Sequence, residues 1–147
     1  MVAIAVERLS YLCATIPKLL AEIEESKFSL KVSPEKWSKK EIIGHLIDSA
    51  TNNHHRFVQI QFQDIIIKPY DQNKWNERNF YQDISGHQII DFWAIYNQHL
   101  LEIIKRMTEE DLQKEFASID NKSFTLSFLI NDYVEHLEHH LRQVVDY

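Results

Sequence analysis

Two histidines four residues apart, His136 and His140, lie in the run Tyr133-Val134-Glu135-His136-Leu137-Glu138-His139-His140-Leu141. On a helix that spacing places them one above the other, on a face that is otherwise apolar. A third histidine, His45, sits in Ile43-Gly44-His45-Leu46-Ile47-Asp48. Supplied from a second core-facing helix, its imidazole completes a three-nitrogen site for a divalent ion. Three protein ligands leave a coordination position open, the arrangement of catalytic rather than structural ions. Neutral imidazoles suit zinc, nickel, iron and cobalt, whereas magnesium and calcium prefer oxygen. Zinc is the default, with nickel, manganese and iron open. The pair is not the zincin motif, which needs Glu directly after the first histidine as general base; Leu137 stands there, so metalloprotease chemistry is disfavoured. Eight histidines in the chain make one such pair unsurprising by chance. His54, His55, His87, His99 and His139 are read as solvated or locally hydrogen-bonded.

Around His45 runs a polar stripe. Ile42, His45, Ser49, Asn52 and Arg56 are separated by threes and fours and so lie on adjoining ridges of one helix. A buried polar group without a partner costs about 1–3 kcal/mol, so such a stripe needs a wet cavity or an ion. Asp48 is a candidate to accept from a ligand's second ring nitrogen, or else a polar contact to another part of the bundle. Arg56 is a candidate to hold an anionic group of a substrate, with an ion pair to a bundle acid as the ordinary alternative. Asn52, between them, is likewise a candidate to support a ligand or to contact a substrate.

These residues need helices to position them. Apolar spacing predicts a first helix over 2–25, with Pro17 kinking or breaking it near Cys13. Residues 26–37 read as a loop in which Trp37 plugs the bundle end. Ser38-Lys39-Lys40-Glu41 has the form of a capping box and opens a second helix running to about Gln63. Residues 64–84 show no periodicity, and Tyr70 and Trp75 there either cover a pocket or pin the segment down. Ser85 is a plausible N-cap for a third helix carrying Ile89, Phe92, Trp93, Tyr96 and Leu100, with Trp93 and Tyr96 in the core. Thr108-Glu109-Glu110-Asp111 begins a short turn or helix, and Ser123 or Thr125 opens the last helix. A crossover of about 20 residues is long for antiparallel neighbours and can set helices two and three parallel. The expectation is an all-α four-helix bundle, one domain over 1–147.

Composition agrees. Two glycines and three prolines in 147 residues favour long helices over a turn-rich sheet. A net charge of −6 lacks the basic face of a nucleic-acid binder. The single cysteine, Cys13, excludes an internal disulfide and a thiolate cluster. No apolar run approaches the ~18 residues that span a bilayer, and no secretory leader is evident, so a cytoplasmic location is expected.

The stretch from Pro34 through Trp37, Glu41 and His45 to Ser49 resembles the second-helix signature of the DinB-like superfamily, closest to its YfiT type of metal-dependent hydrolases. Thr125-Leu126 through His136-Leu137-Glu138-His139-His140-Leu141 resembles that family's last helix. The resemblance covers essentially the whole chain. It implies an up-down-down-up bundle with a long crossover between helices two and three, and His45, His136 and His140 as the metal triad. It further implies a metal-dependent enzyme acting on a small molecule, as a hydrolase or as a thiol S-transferase using a low-molecular-weight thiol such as bacillithiol. A homodimer is compatible with it. The competing expectation is a non-catalytic, stress-related metal-binding bundle.

Overall fold

The computed structural model of residues 1–147 contains, in chain order, α1 (Ala3–Ala21), α2 (Glu25–Phe28), α3 (Lys39–Ile60), β1 (Ile66–Ile67), α4 (Gln72–Arg78), a 3-10 turn at Tyr81–Asp83, α5 (Gly86–Arg106), α6 (Glu109–Leu112), β2 (Glu115–Ser118), β3 (Ser123–Thr125) and α7 (Leu126–Leu141). The long helices α1, α3, α5 and α7 form a four-helix bundle. Their shared core includes Leu9, Leu12, Ile16, Ile43, Leu46, Trp93, Leu100, Ile130 and Leu137. Burying each side chain of this size contributes about 1.5–3 kcal/mol.

Side-chain bonds give the directions of the helices. Lys40 Nζ reaches the Ile84 carbonyl at 2.9 Å, and His54 Nδ1 meets the Tyr96 hydroxyl at 2.9 Å. Early contacts early and late contacts late, so α3 and α5 run parallel. Asn131 donates to the Met1 carbonyl and Arg8 to Glu138, so α1 and α7 are parallel as well. His45 packs against His136 and His140, while Arg56 shares a cavity wall with Leu129; α3 and α7 are therefore antiparallel. The order is up-down-down-up, as expected.

The parallel pair requires the chain to return along α3 between Ile60 and Gly86. Segment 61–85 does so, and it is built rather than irregular. Asn76 Nδ2 donates to the Glu41 carbonyl (2.8 Å), Asn79 and Tyr81 bond Asp48, and Ser38 donates to Gln82. The crossover thereby carries β1, α4 and the 3-10 turn, none of which its sequence pattern announces. β1 pairs in parallel with β2 (Ile66 opposite Ala117), and β2 pairs antiparallel with β3 (Phe116 opposite Phe124). This small sheet is an addition to the all-α expectation.

Three boundaries also differ from the sequence reading. α1 ends at Ala21, and Pro17 sits inside it without ending it; proline forgoes one helical hydrogen bond, and the packed residues on both sides hold the helix together. Residues 25–28, spanning the end of the expected first helix and the start of the expected loop, form α2. α3 stops at Ile60. Ser85 occupies the N-cap of α5 but makes no side-chain cap bond. No helix is long and apolar enough to cross a membrane.

Candidate metal centre

The capping box predicted for α3 is present: Ser38 Oγ accepts from the Glu41 amide (3.1 Å), and the Ser38 amide donates to Glu41 Oε1 (3.0 Å). It fixes the register of α3, placing His45 in the second turn on the buried side. On α7, Thr125 caps the first turn by accepting from the Phe128 amide (3.1 Å), and His136 and His140 follow on the face turned to α3.

The three rings converge. Their centroids lie 5.1 Å (His45–His136), 4.8 Å (His45–His140) and 4.6 Å (His136–His140) apart. One ring nitrogen from each lies within 4.8 Å of the other two, and Nε2 of His45 is 3.3 Å from Nε2 of His136. Two nitrogens at Zn–N distances of 2.0–2.1 Å and a tetrahedral angle of ~109° stand about 3.3 Å apart, so the observed spacing fits a shared ion. His45 is fully buried, whereas His136 and His140 are half-buried, leaving the cluster open on one side. The indole of Trp37 covers His45, ring to ring at 4.8 Å, a closer involvement than the plug its sequence position suggested.

Burial keeps these imidazoles neutral. His45 is pushed down to about 3, first by desolvation and then by His136 and His140; His136 is pushed down to about 4 by desolvation, His140 and His139. His140 is lowered by desolvation, partly offset by its bond to Gln143. Neutral rings present the lone pairs that a metal needs.

The polar stripe resolves residue by residue. Asp48 does not reach a ligand's ring nitrogen: His45 Nδ1 is left without a partner, as is Asp48 Oδ2. Asp48 Oδ1 instead accepts from the Tyr81 hydroxyl (2.6 Å) and Asn79 Nδ2 (2.8 Å). Burial pushes its carboxyl up to about 6, against the two hydrogen bonds. Asn52 folds its amide back onto the Asp48 carbonyl (2.8 Å). Arg56 forms no ion pair; it donates to the Lys68 carbonyl (3.2 Å) and lines a cavity that His136 also lines. Tyr70 lines the same cavity. Trp93 is buried, whereas Tyr96 is half-buried and bonded to His54.

The sequence reading missed Tyr81 and Asn79, which fasten the crossover beside the site. Gly44 is the available signal. A glycine inside a strong helix implies a close approach, and the Tyr81 ring occupies the place of its missing Cβ.

The family model of the DinB superfamily matches residues 9–144. A relative from Oceanobacillus iheyensis is 25% identical over 109 residues, covering 74% of this chain and 63% of its own length. Another from Bacillus subtilis, YfiT, is 22% identical over 112 residues, covering 75% and 63%. Both carry the name "Putative metal-dependent hydrolase". The chain thus spans somewhat under two thirds of the length of these two relatives. Among solved structures, that of YfiT from Bacillus subtilis, described as having an unusual four-helix bundle topology, superposes with a TM-score of 0.83. It is 19% identical, over 95% of this chain and 81% of that one. A mycothiol-dependent maleylpyruvate isomerase superposes with a TM-score of 0.75 at 10% identity, over 96% and 60%.

Proposed function

This chain belongs to the DinB superfamily, and on that footing we propose that it is a metal-dependent enzyme acting on a small molecule. His45, His136 and His140 would hold the ion. The observation that carries this is the convergence of three neutral imidazoles from two antiparallel helices, with two Nε2 atoms 3.3 Å apart. When bound, such an ion supplies Lewis acidity, shifting the proton equilibrium of a water or a thiol toward the anion.

The chain's own residues do the rest. Trp37 and the α3 core shield His45 from solvent, so only the His136 and His140 side is open to a reactant. Asp48, tied by Tyr81 and Asn79, holds the crossover against α3 and so fixes the wall that faces this opening. Two chemistries share the arrangement. Hydrolysis is what the relatives' names carry. Thiol transfer, with a low-molecular-weight thiol such as bacillithiol as cosubstrate, is suggested by the mycothiol dependence of the isomerase with the same fold. Zinc is the proposed ion, a soluble cytoplasmic homodimer the proposed form.

Metal content by plasma mass spectrometry tests the reading. The wild type, incubated with zinc or nickel and desalted, should hold about one equivalent per chain, and His45→Ala and His136→Ala should lose it while keeping their helical circular dichroism. A wild type that retains no metal refutes the centre. A metal-replete protein that turns over neither esters and amides nor thiol–electrophile pairs points to the non-catalytic bundle.

A further inference from the structure

We propose that the cavity beside His136 is a receptor for a carboxylate, and that the small molecule this protein acts on carries one. The inference deepens the metal-centre reading and rests on it for the fate of the bound molecule.

Arg56 is the starting point. It lies about three helical turns beyond His45 on α3, on the wall of a cavity of about 150 Å³ that also takes in Ser49, Asn53, Tyr70, Gln72 and His136. Arg8, Arg106 and Arg142 are each paired with a glutamate. Half-buried Arg56 has no carboxylate within 4 Å, and its one hydrogen bond goes to the Lys68 carbonyl. A guanidinium offers five donors, so most remain free. Desolvation lowers the Arg56 pKa, opposed only by the Tyr70 phenol and by no carboxylate, so the charge is partly withdrawn from water with no anion paired to it. A planar anion restores that balance with paired, charge-assisted hydrogen bonds.

The neighbouring groups are suited to the same guest. Tyr70 and Gln72 line the cavity, and neither the Tyr70 hydroxyl nor the Gln72 amide bonds another group of the chain, so both are available to donate. Asn53 is different, since its amide is engaged by the Ser49 carbonyl at 2.9 Å. Asp132 stands on the same wall. A single arginine matches one negative charge, so a monoanion is fully paired where a phosphate dianion keeps a second charge unpaired, and exposed Asp132 on the same wall weakens the binding of either.

The other side of Arg56 indicates the remainder of the molecule. Arg56, Tyr70 and Gln72 also border a second cavity of about 350 Å³, whose further walls include Ile67, Pro69 and Ile119. A ligand held by its carboxylate at Arg56 has an open, partly apolar recess on one side and His136 on the other. The substrate class is therefore a small monocarboxylate with an apolar body.

The probe is 3-phenylpropionate, titrated by calorimetry into zinc-loaded and chelator-treated protein, with 3-phenylpropionamide and phenyl phosphate as controls. The wild type should bind the carboxylate in both forms. Arg56→Gln should weaken it roughly tenfold or more, the amide should bind as weakly to the wild type, and Asp132→Asn should tighten it. Phenyl phosphate should bind no better than the carboxylate. Equal affinity in wild type and Arg56→Gln overturns the receptor. So does binding that survives Arg56→Gln and disappears with zinc, because the carboxylate then sits on the metal. If Arg56→Gln does not fold, Tyr70→Phe serves, with severalfold weakening expected and an unchanged affinity counting against the proposal. A failed metal centre shows separately, as absent metal with carboxylate binding intact in the chelator-treated protein.

Discussion

Gly44→Ala probes the contact that seats the crossover against α3. At an unencumbered helix interior, alanine gains about 1 kcal/mol over glycine. Here the new methyl would stand 2.2, 2.3 and 2.7 Å from Cδ2, Cγ and Cε2 of Tyr81, against a comfortable carbon–carbon separation of ~3.5–4.0 Å. Cγ is the root of the ring rather than a flexible tip, so the 3-10 turn Tyr81–Asp83 must shift or the ring must swing out. Either movement draws the Tyr81 hydroxyl away from Asp48 Oδ1, now 2.6 Å distant. Overpacking costs about 1–3 kcal/mol, and the lost buried hydrogen bond a further ~1–3 kcal/mol. Less the propensity gain, the expected destabilisation is about 1–5 kcal/mol. For a domain of this size that lowers Tm by roughly 2–20 °C. Thermal melts followed at 222 nm measure it. In a Tyr81→Ala background the obstacle is gone, and the same substitution should instead stabilise by about 1 kcal/mol. A Gly44→Ala protein that melts at or above the wild-type temperature refutes the packing argument.

Two further expectations follow from the core and the site. Burial pushes the Cys13 thiol up to about 11 from an ordinary value of 9.0, so Ellman's reagent at pH 8 should find no thiol in the native protein and one after denaturation; rapid native labelling would contradict it. Because the folded value is the higher one, the associated stability is present below about pH 9 and lost as pH rises toward about 11, and Cys13→Val should flatten that slope in urea titrations. The indole of Trp37 lies 4.8 Å from the His45 ring, so adding zinc or nickel to metal-free protein should change the intrinsic fluorescence. Trp37→Phe should abolish most of that change, and an undiminished signal would place its origin at Trp75 or Trp93.

The helices were legible where local chemistry decides them. Ser38 and Glu41 satisfy each other across one turn, which depends on nothing distant, and the structure forms that bond pair as the four-residue pattern requires. Thr125 acts likewise. Ser85 shows the limit of the rule, since it has the right residue type and position but no cap bond. The crossover was illegible for the opposite reason. α4 is seven residues long, too short to be stable alone, and exists because Asn76 and Asn79 find partners on α3 some thirty residues earlier. β1 is two residues whose partner strand lies beyond α5, and nothing in Ile66-Ile67 names it.

The candidate site divides along the same line. His136 and His140 meet through helix periodicity alone, whereas His45 joins them only because α3 runs antiparallel to α7 and is capped in the right register. Spacing alone gives the stripe on α3 a wet cavity or an ion as its partner, yet three- and four-residue spacing cannot say which partner serves which residue. Asn52 and Asn53 satisfy themselves four residues back on their own helix, a local escape open to short amides. Asp48 makes no bond to His45 and is taken by Tyr81 and Asn79, partners that arrive with the crossover. Arg56 is long enough to pass its own helix and ends beside a cavity with most of its donors unspent. Asp48 therefore holds the wall in place, and its loss should act on stability first. Arg56 faces the space the wall encloses, so its loss should act on ligand affinity while metal content stays at the wild-type level.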